Sequence, residues 1–173
     1  ESPLIDEKLA LVWGKVNATP EATQNRIDQL ETSYSEAPLW AFRTLSGKAH
    51  FEALCSACHQ PSQTEANIGP NLNGSGSNGA RYFFENIIDP NAVVGSDYAI
   101  STIKTKSGQT LSGILDNQTE TAVTLKTIDD STTIPRTDIK SISQSPQSMM
   151  PPGLLDTLND REITELIKYL ETL

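Results

Sequence analysis

The chain contains two cysteines, and they stand three positions apart in Cys55-Ser56-Ala57-Cys58-His59. A structural disulfide framework needs several cysteines spread through the sequence, so local chemistry has to account for this pair. On a helical turn, side chains three apart share one face. Both thiols can then reach one flat molecule while the imidazole of the next residue turns toward its centre. C-x-x-C-H is the attachment signature of c-type haem, with two thioethers to the vinyl groups and one histidine to the iron. Two rival readings are weaker. A zinc site needs four ligands; the chain offers Cys55, Cys58, His50 and His59, and adjacent Cys58 and His59 could hardly meet one tetrahedral ion together. A thioredoxin-type pair wants a preceding strand and a βαβ setting, whereas a helical segment precedes Cys55.

Around the motif the hydrophobic pattern predicts a helical protein interrupted by strands. Residues 1–46 read as a helical extension, with Leu4, Ile5, Leu9, Val12, Trp13 and Val16 at helical spacing. A second helix starts at Thr19-Pro20-Glu21, where Thr19 is a capping hydroxyl, Pro20 needs no N–H partner and Glu21 faces the helix dipole. It carries Ile27, Leu30 and Tyr34 and ends near Pro38. Residues 47–59 read as a helix running into the cysteines, 60–80 as loop, and 81–89 as an aromatic-rich helix stopped at Asp89-Pro90. From about 98 to 143 the period shortens to two, with turn signals at Ser107-Gly108, Asp116-Asn117 and Asp129-Asp130. A last helix opens with Asn159 and Glu162 as a capping box and lines up Ile163, Leu166, Ile167, Leu170 and Leu173. The fold class is therefore mainly α with a β insert (α+β). The pieces are an extension over 1–46, a host domain over 47–97 and 144–173, and the insert over 98–143.

With 36% hydrophobic residues the core is modest, and a buried cofactor would help fill it. A net charge of −9 argues against nucleic acid as a partner. It fits a well-solvated surface, part of which could steer a basic partner. The longest apolar stretch, Leu9 to Trp13, is too short to cross a bilayer. Beginning at Glu1 with no signal sequence, the chain reads as a processed mature protein or an excised domain. No Ser/His/Asp set or carboxylate pair stands out for general acid–base catalysis. Tyr82, Phe83, Phe84, Ile87 and Ile88 read as packing residues, and Trp13 and Trp40 as anchors of the extension.

Gly47, Phe51, Cys55, Cys58, His59, Gly69-Pro70-Asn71-Leu72 and the last helix with Tyr169-Leu170 resemble a class I cytochrome c. More narrowly, the sequence is similar to a haem-binding domain of planctomycetes and verrucomicrobia that often ends large sorbosone-dehydrogenase-like proteins. The stretches that carry this are 68–76, 82–94, 105–115, 134–139 and 148–158. The resemblance implies a helical core around one covalent haem c, with a small antiparallel SH3-like barrel inserted before a methionine loop. It implies that Pro70 offers its carbonyl to His59 Nδ1–H, fixing the tautomer, and that Leu72 packs on the porphyrin.

For the second axial ligand the candidates are Met149, Met150 and His50. His50 lies on the helix carrying the proximal side, should not reach the opposite haem face, and reads as a surface or haem-rim residue. Consecutive side chains of an extended loop point to opposite sides, so one of the two methionines can face the iron. Pro151 holds Met150 in an extended backbone, and the resemblance points to the same Met-Pro step. Met150 is therefore the expected ligand, with Met149 the alternative. The expected function is periplasmic one-electron transfer by a monohaem c-type cytochrome, between a dehydrogenase donor and a cytochrome or oxidase acceptor, rather than catalysis. The alternative is a haem enzyme or ligand sensor with an open sixth site. The β insert could also serve as a docking module.

Overall fold

The computed structural model describes residues 15–59 and 68–173. The described residues divide into two compact units, one formed by 18–59, 68–92 and 151–173 and the other by 15–17 with 93–150.

The first unit is helical. Helix α1 (Glu21–Ser35) begins after Pro20, which itself takes the cap position without a side-chain hydrogen bond. Its carbonyl accepts from Gln24 N–H at 2.9 Å. The expected Thr19 hydroxyl cap is not used, because proline's fixed φ already sets the first turn. Ile27 and Leu30 of α1 are buried. Helix α2 (Thr44–Leu54) buries Gly47 and Phe51. It starts earlier than the sequence pattern suggested and ends before the cysteines. Helix α3 (Gly79–Ile88) buries Phe83, Phe84 and Ile87, while Tyr82 stays 39% exposed. Helix α4 (Asp160–Leu170) opens with the predicted capping box: Arg161 and Glu162 N–H donate to the Asn159 side chain, and Asn159 N–H donates to Glu162. Its buried stripe is Ile163, Leu166, Ile167 and Leu170.

Two arrangements hold these helices. Helices α2 and α4 meet at Gly47, where a Cβ would run into the Glu165 carbonyl and stand 2.8 Å from Tyr169 Cβ. Phe51 packs on Tyr169 with ring centroids 5.4 Å apart. Helix α1 is tied on by the Tyr34 hydroxyl, which donates to Glu171 at 2.6 Å, and by Arg81 of α3, which reaches Asp28 and Glu31. Burial and the Glu171 carboxylate push the Tyr34 phenol well above its usual range, so it remains a donor. Trp40, expected to anchor the extension, meets the last helix from an exposed position. It is 64% exposed, and the Arg161 guanidinium lies 5.4 Å over its ring.

The second unit is a five-stranded antiparallel sheet. Its strands are β3 (Ala99–Thr105), β4 (Thr110–Gln118), β5 (Ala122–Lys126), β6 (Ser131–Pro135) and β7 (Ile139–Ser148). Their order is β6-β5-β4-β3-β7, which leaves β6 and β7 as edges. The sheet is open, where a closed SH3-like barrel was expected. Ile103, Val123, Leu125 and Ile134 form its core. Asp116-Asn117, read as a turn, instead marks a register shift within β4, which runs on to Gln118. The turn comes at Thr119, whose N–H donates to the Ala122 carbonyl. Asp129-Asp130 does close a turn, with Thr127 N–H donating to Asp130 at 2.8 Å. A separate two-stranded ribbon pairs β1 (Lys15–Val16) with β2 (Val93–Val94). Val16 is therefore in a strand and not at a helical position, because a partner far along the chain overrides the local spacing. Leu4, Ile5, Leu9, Val12 and Trp13 lie outside the described residues.

The crossing at Gly47 yields the first prediction. Backbone cannot step aside as a flexible side chain can, so Gly47→Ala should separate α2 from α4 and destabilise the protein by roughly 1–3 kcal/mol. Urea unfolding of the haem-loaded variant against the parent checks this, and an unchanged midpoint would refute it.

Candidate haem-attachment site

Cys55 follows the last residue of α2 as its cap, with helical φ and ψ. Its N–H donates to the Phe51 carbonyl at 2.8 Å, and its own carbonyl accepts from Cys58 N–H at 3.0 Å and His59 N–H at 2.9 Å. The expected helix through residue 59 is thus a helix to Leu54 and then one tight turn. That turn keeps Cys55, Cys58 and His59 together on a short, hydrogen-bonded piece of backbone. Both thiols are free and partly buried.

Burial, with the neighbouring Cys58 adding to it, pushes the Cys55 thiol up to about 11. Burial raises Cys58 too. A catalytic redox pair needs the opposite direction. Both thiols thus stand in sheltered surroundings, as a pair held for a structural bond would, and not as an exposed, activated redox pair. Among the described residues no group of three or more His, Cys, Asp or Glu side chains stands together as a metal site.

His59 is oriented from outside the turn. Its Nδ1 lies 2.9 Å from the Pro70 carbonyl oxygen. A carbonyl can only accept, so Nδ1 carries the proton and Nε2 is the nitrogen left to bind iron. Such a bond fixes the ring's direction and strengthens it as a ligand. Gly69 makes the approach possible: its N–H donates to the Cys58 carbonyl at 2.9 Å, and a Cβ there would stand 2.7 Å from His59 Cε1 and 2.9 Å from Nδ1. The importance of Gly69 was not read from the sequence, although a glycine before the proline was the available signal.

The structure therefore brings together Cys55, Cys58, His59 and Pro70. Leu72 is partly buried, and its carbonyl accepts from both the backbone and the hydroxyl of Ser75. Met149 and Met150 follow β7 in the strand unit, both partly buried, and Met150 N–H donates to the Ser148 hydroxyl at 3.1 Å. His50, read as a surface or haem-rim residue, is partly buried. It faces Glu165 of α4, with Nε2 3.5 Å from Oε2.

The residues present fit a covalently held haem: two thiols on one turn, an imidazole with its outer nitrogen already committed, and a glycine clearing the space beside the ring. The comparison with known families agrees. The cytochrome c family model matches residues 45–173, and the chain belongs to the cytochrome c family. No curated protein matches it. Family membership brings with it haem c, iron and electron transfer with redox partner proteins.

Gly69→Ala should push the His59 ring off the Pro70 carbonyl. A less strongly donating imidazole stabilises Fe(III) less, so the reduction potential should rise. Spectroelectrochemistry of the variant checks the direction, and an unchanged or lower potential would contradict it.

Proposed function

We propose that the chain is a monohaem c-type cytochrome that carries single electrons in the periplasm. The observation that carries this reading is the turn at Cys55–Cys58 with the His59 imidazole fixed by the Pro70 carbonyl. When bound, the haem supplies an iron that gains and loses one electron. Cys55 and Cys58 hold the group through thioethers, and Leu72 packs on its face. His59 Nε2 is the proximal ligand, and the bond at its Nδ1 keeps the ring from rotating. A fixed ligand set keeps the structural change between oxidation states small, which is what fast transfer to a partner protein requires.

Met150 completes the ligand set. The proline after it restrains its backbone to extended angles, and the hydrogen bond of its N–H to Ser148 holds the other side of the residue. A thioether favours Fe(II), so this pair implies a higher potential than two histidines would give. The similarity to the planctomycete and verrucomicrobial domain suggests a dehydrogenase as donor and another cytochrome or an oxidase as acceptor. Haem attachment to C-x-x-C-H outside the cytoplasm supports the periplasmic placement. Among the described residues no helix is long and apolar enough to cross a membrane.

The test separates the two methionines and the rival reading of an open site. Met150→Leu should open the iron to CO, lower the potential and remove the sulfur–iron charge-transfer band. Met149→Leu, a volume-conserving change, should leave the spectrum intact and cost less than about 1.5 kcal/mol of stability. The opposite pattern would make Met149 the ligand. CO binding by the unsubstituted protein would favour an enzyme or sensor.

A further inference from the structure

Glu165 is a buried charge to which haem attachment gives no role. It sits in mid-α4 with the residue 4% exposed, against the point where Gly47 crosses. Its Oε1 accepts from Arg161 Nε at 3.1 Å, and its Oε2 faces His50 Nε2 at 3.5 Å. Stability does not explain this choice, since well-packed apolar side chains usually serve a helix crossing as well as a buried ion pair or better. Removing one partner of such a pair is costly, so the three residues form a unit.

The unit can change its charge. Of the groups facing Glu165, Arg161 keeps its proton at all ordinary pH, whereas an imidazole gains or loses one between about pH 5 and 8. The His50 side chain is 22% exposed, so its proton can exchange with water, while the Glu165 side chain at 5% is closed off. Among the described residues, the charged group paired with His50 from α4 is Glu165, whose other oxygen accepts from Arg161. On its own helix, Lys48 and Glu52 pair with each other at 3.6 Å on the surface. The turn at Leu39–Ala41 contributes the uncharged Trp40, stacked under Arg161.

The place of this unit matters for the haem. His50 lies on the helix that leads straight to the first attachment cysteine. It is five residues before Cys55, about 7.5 Å along the axis. Phe51, next to it, is 1% exposed, so the helix between His50 and Cys55 is in part shielded from water. Charges there are weakly screened.

We infer that His50, backed by Glu165, is a proton-binding site linked to the electron on the haem. The inference rests on the electron-carrier reading above. For each electron delivered by the donor protein, a fraction of the molecules takes a proton from solvent and forms an N–H bond at His50 Nδ1, since Nε2, which faces the Glu165 carboxylate, carries the neutral ring's hydrogen. When the electron leaves for the acceptor, that bond breaks and the proton returns to water. The coupling is reciprocal: a positive imidazolium favours Fe(II), and Fe(II) favours the imidazolium. The reduction potential is accordingly highest when His50 is protonated and falls as pH rises through its titration. Glu165 is a positioning residue. It holds the imidazole in place through its Oε2.

The test is the midpoint potential of the haem-loaded protein measured from about pH 5 to 8, for the parent, His50→Gln and Glu165→Gln, with His50 ring signals followed by NMR in both oxidation states. In the parent the potential should fall across the window, and the His50 ring should titrate at higher pH in the reduced protein than in the oxidised one. His50→Gln should flatten the fall, and Glu165→Gln, which frees the ring, should weaken it. An undiminished slope in His50→Gln, or ring signals that titrate identically in both states, would overturn the inference and leave the electron-carrier reading intact. A holoprotein without a reversible one-electron wave would overturn both.

Discussion

Helices α2 and α4 approach so closely at Gly47 that the Glu165 carbonyl and Tyr169 stand where any side chain would have to go. Much of the helical unit depends on that contact. It fixes α2, and α2 delivers Cys55 to its position at the end of the helix. The turn from Cys55 to His59 is then built on the last carbonyls of α2. A second close approach, Gly69 against His59, finishes the arrangement by setting the direction of the imidazole. Both contacts are between backbone and a neighbour with little freedom, so they give position rather than mere adhesion. A redox site benefits from that, because any slack in the ligand becomes a change in geometry with each electron.

The family match begins at residue 45, yet the helical unit extends further toward the N-terminus. Helix α1 contributes Ile27 and Leu30 to the core, and its Tyr34 hydroxyl holds the C-terminal end of α4 through Glu171. Arg81 joins α1 to α3 on the surface through Asp28 and Glu31. Exposed pairs of this kind contribute little stability, so the apolar contacts and the sheltered Tyr34–Glu171 bond carry the attachment. This helix braces α4 near its end, while Gly47 fixes it near its middle.

What could be read from the sequence was whatever depends on near neighbours. The Asn159–Glu162 box, the stop at Asp89-Pro90, the Asp129-Asp130 turn and the C-x-x-C-H motif all express chemistry completed within a few residues. The errors came where a distant partner decides. Val16 fits a helical stripe but pairs with Val93. Asp116-Asn117 looks like a turn but is absorbed as an irregularity because β5 pairs on past it. Alternation announces strands without saying whether the first and last will meet, and here β6 and β7 remain edges. The same holds at the site. The link from Pro70 to His59 came from family resemblance, whereas the need for Gly69 and the facing of His50 by Glu165 are tertiary facts. Glu165 sits in the sequence among Ile163, Leu166 and Ile167, and the placing of an acid within an apolar stripe was the one local sign of it.

The central claim is that Cys55 and Cys58 carry a haem through covalent bonds. Acid–acetone extraction followed by intact-mass measurement tests it most directly. The pigment should stay with the protein, and the mass should exceed that of the chain by one haem. Pigment that extracts freely, or a chain at its bare mass with zinc bound, would contradict the account.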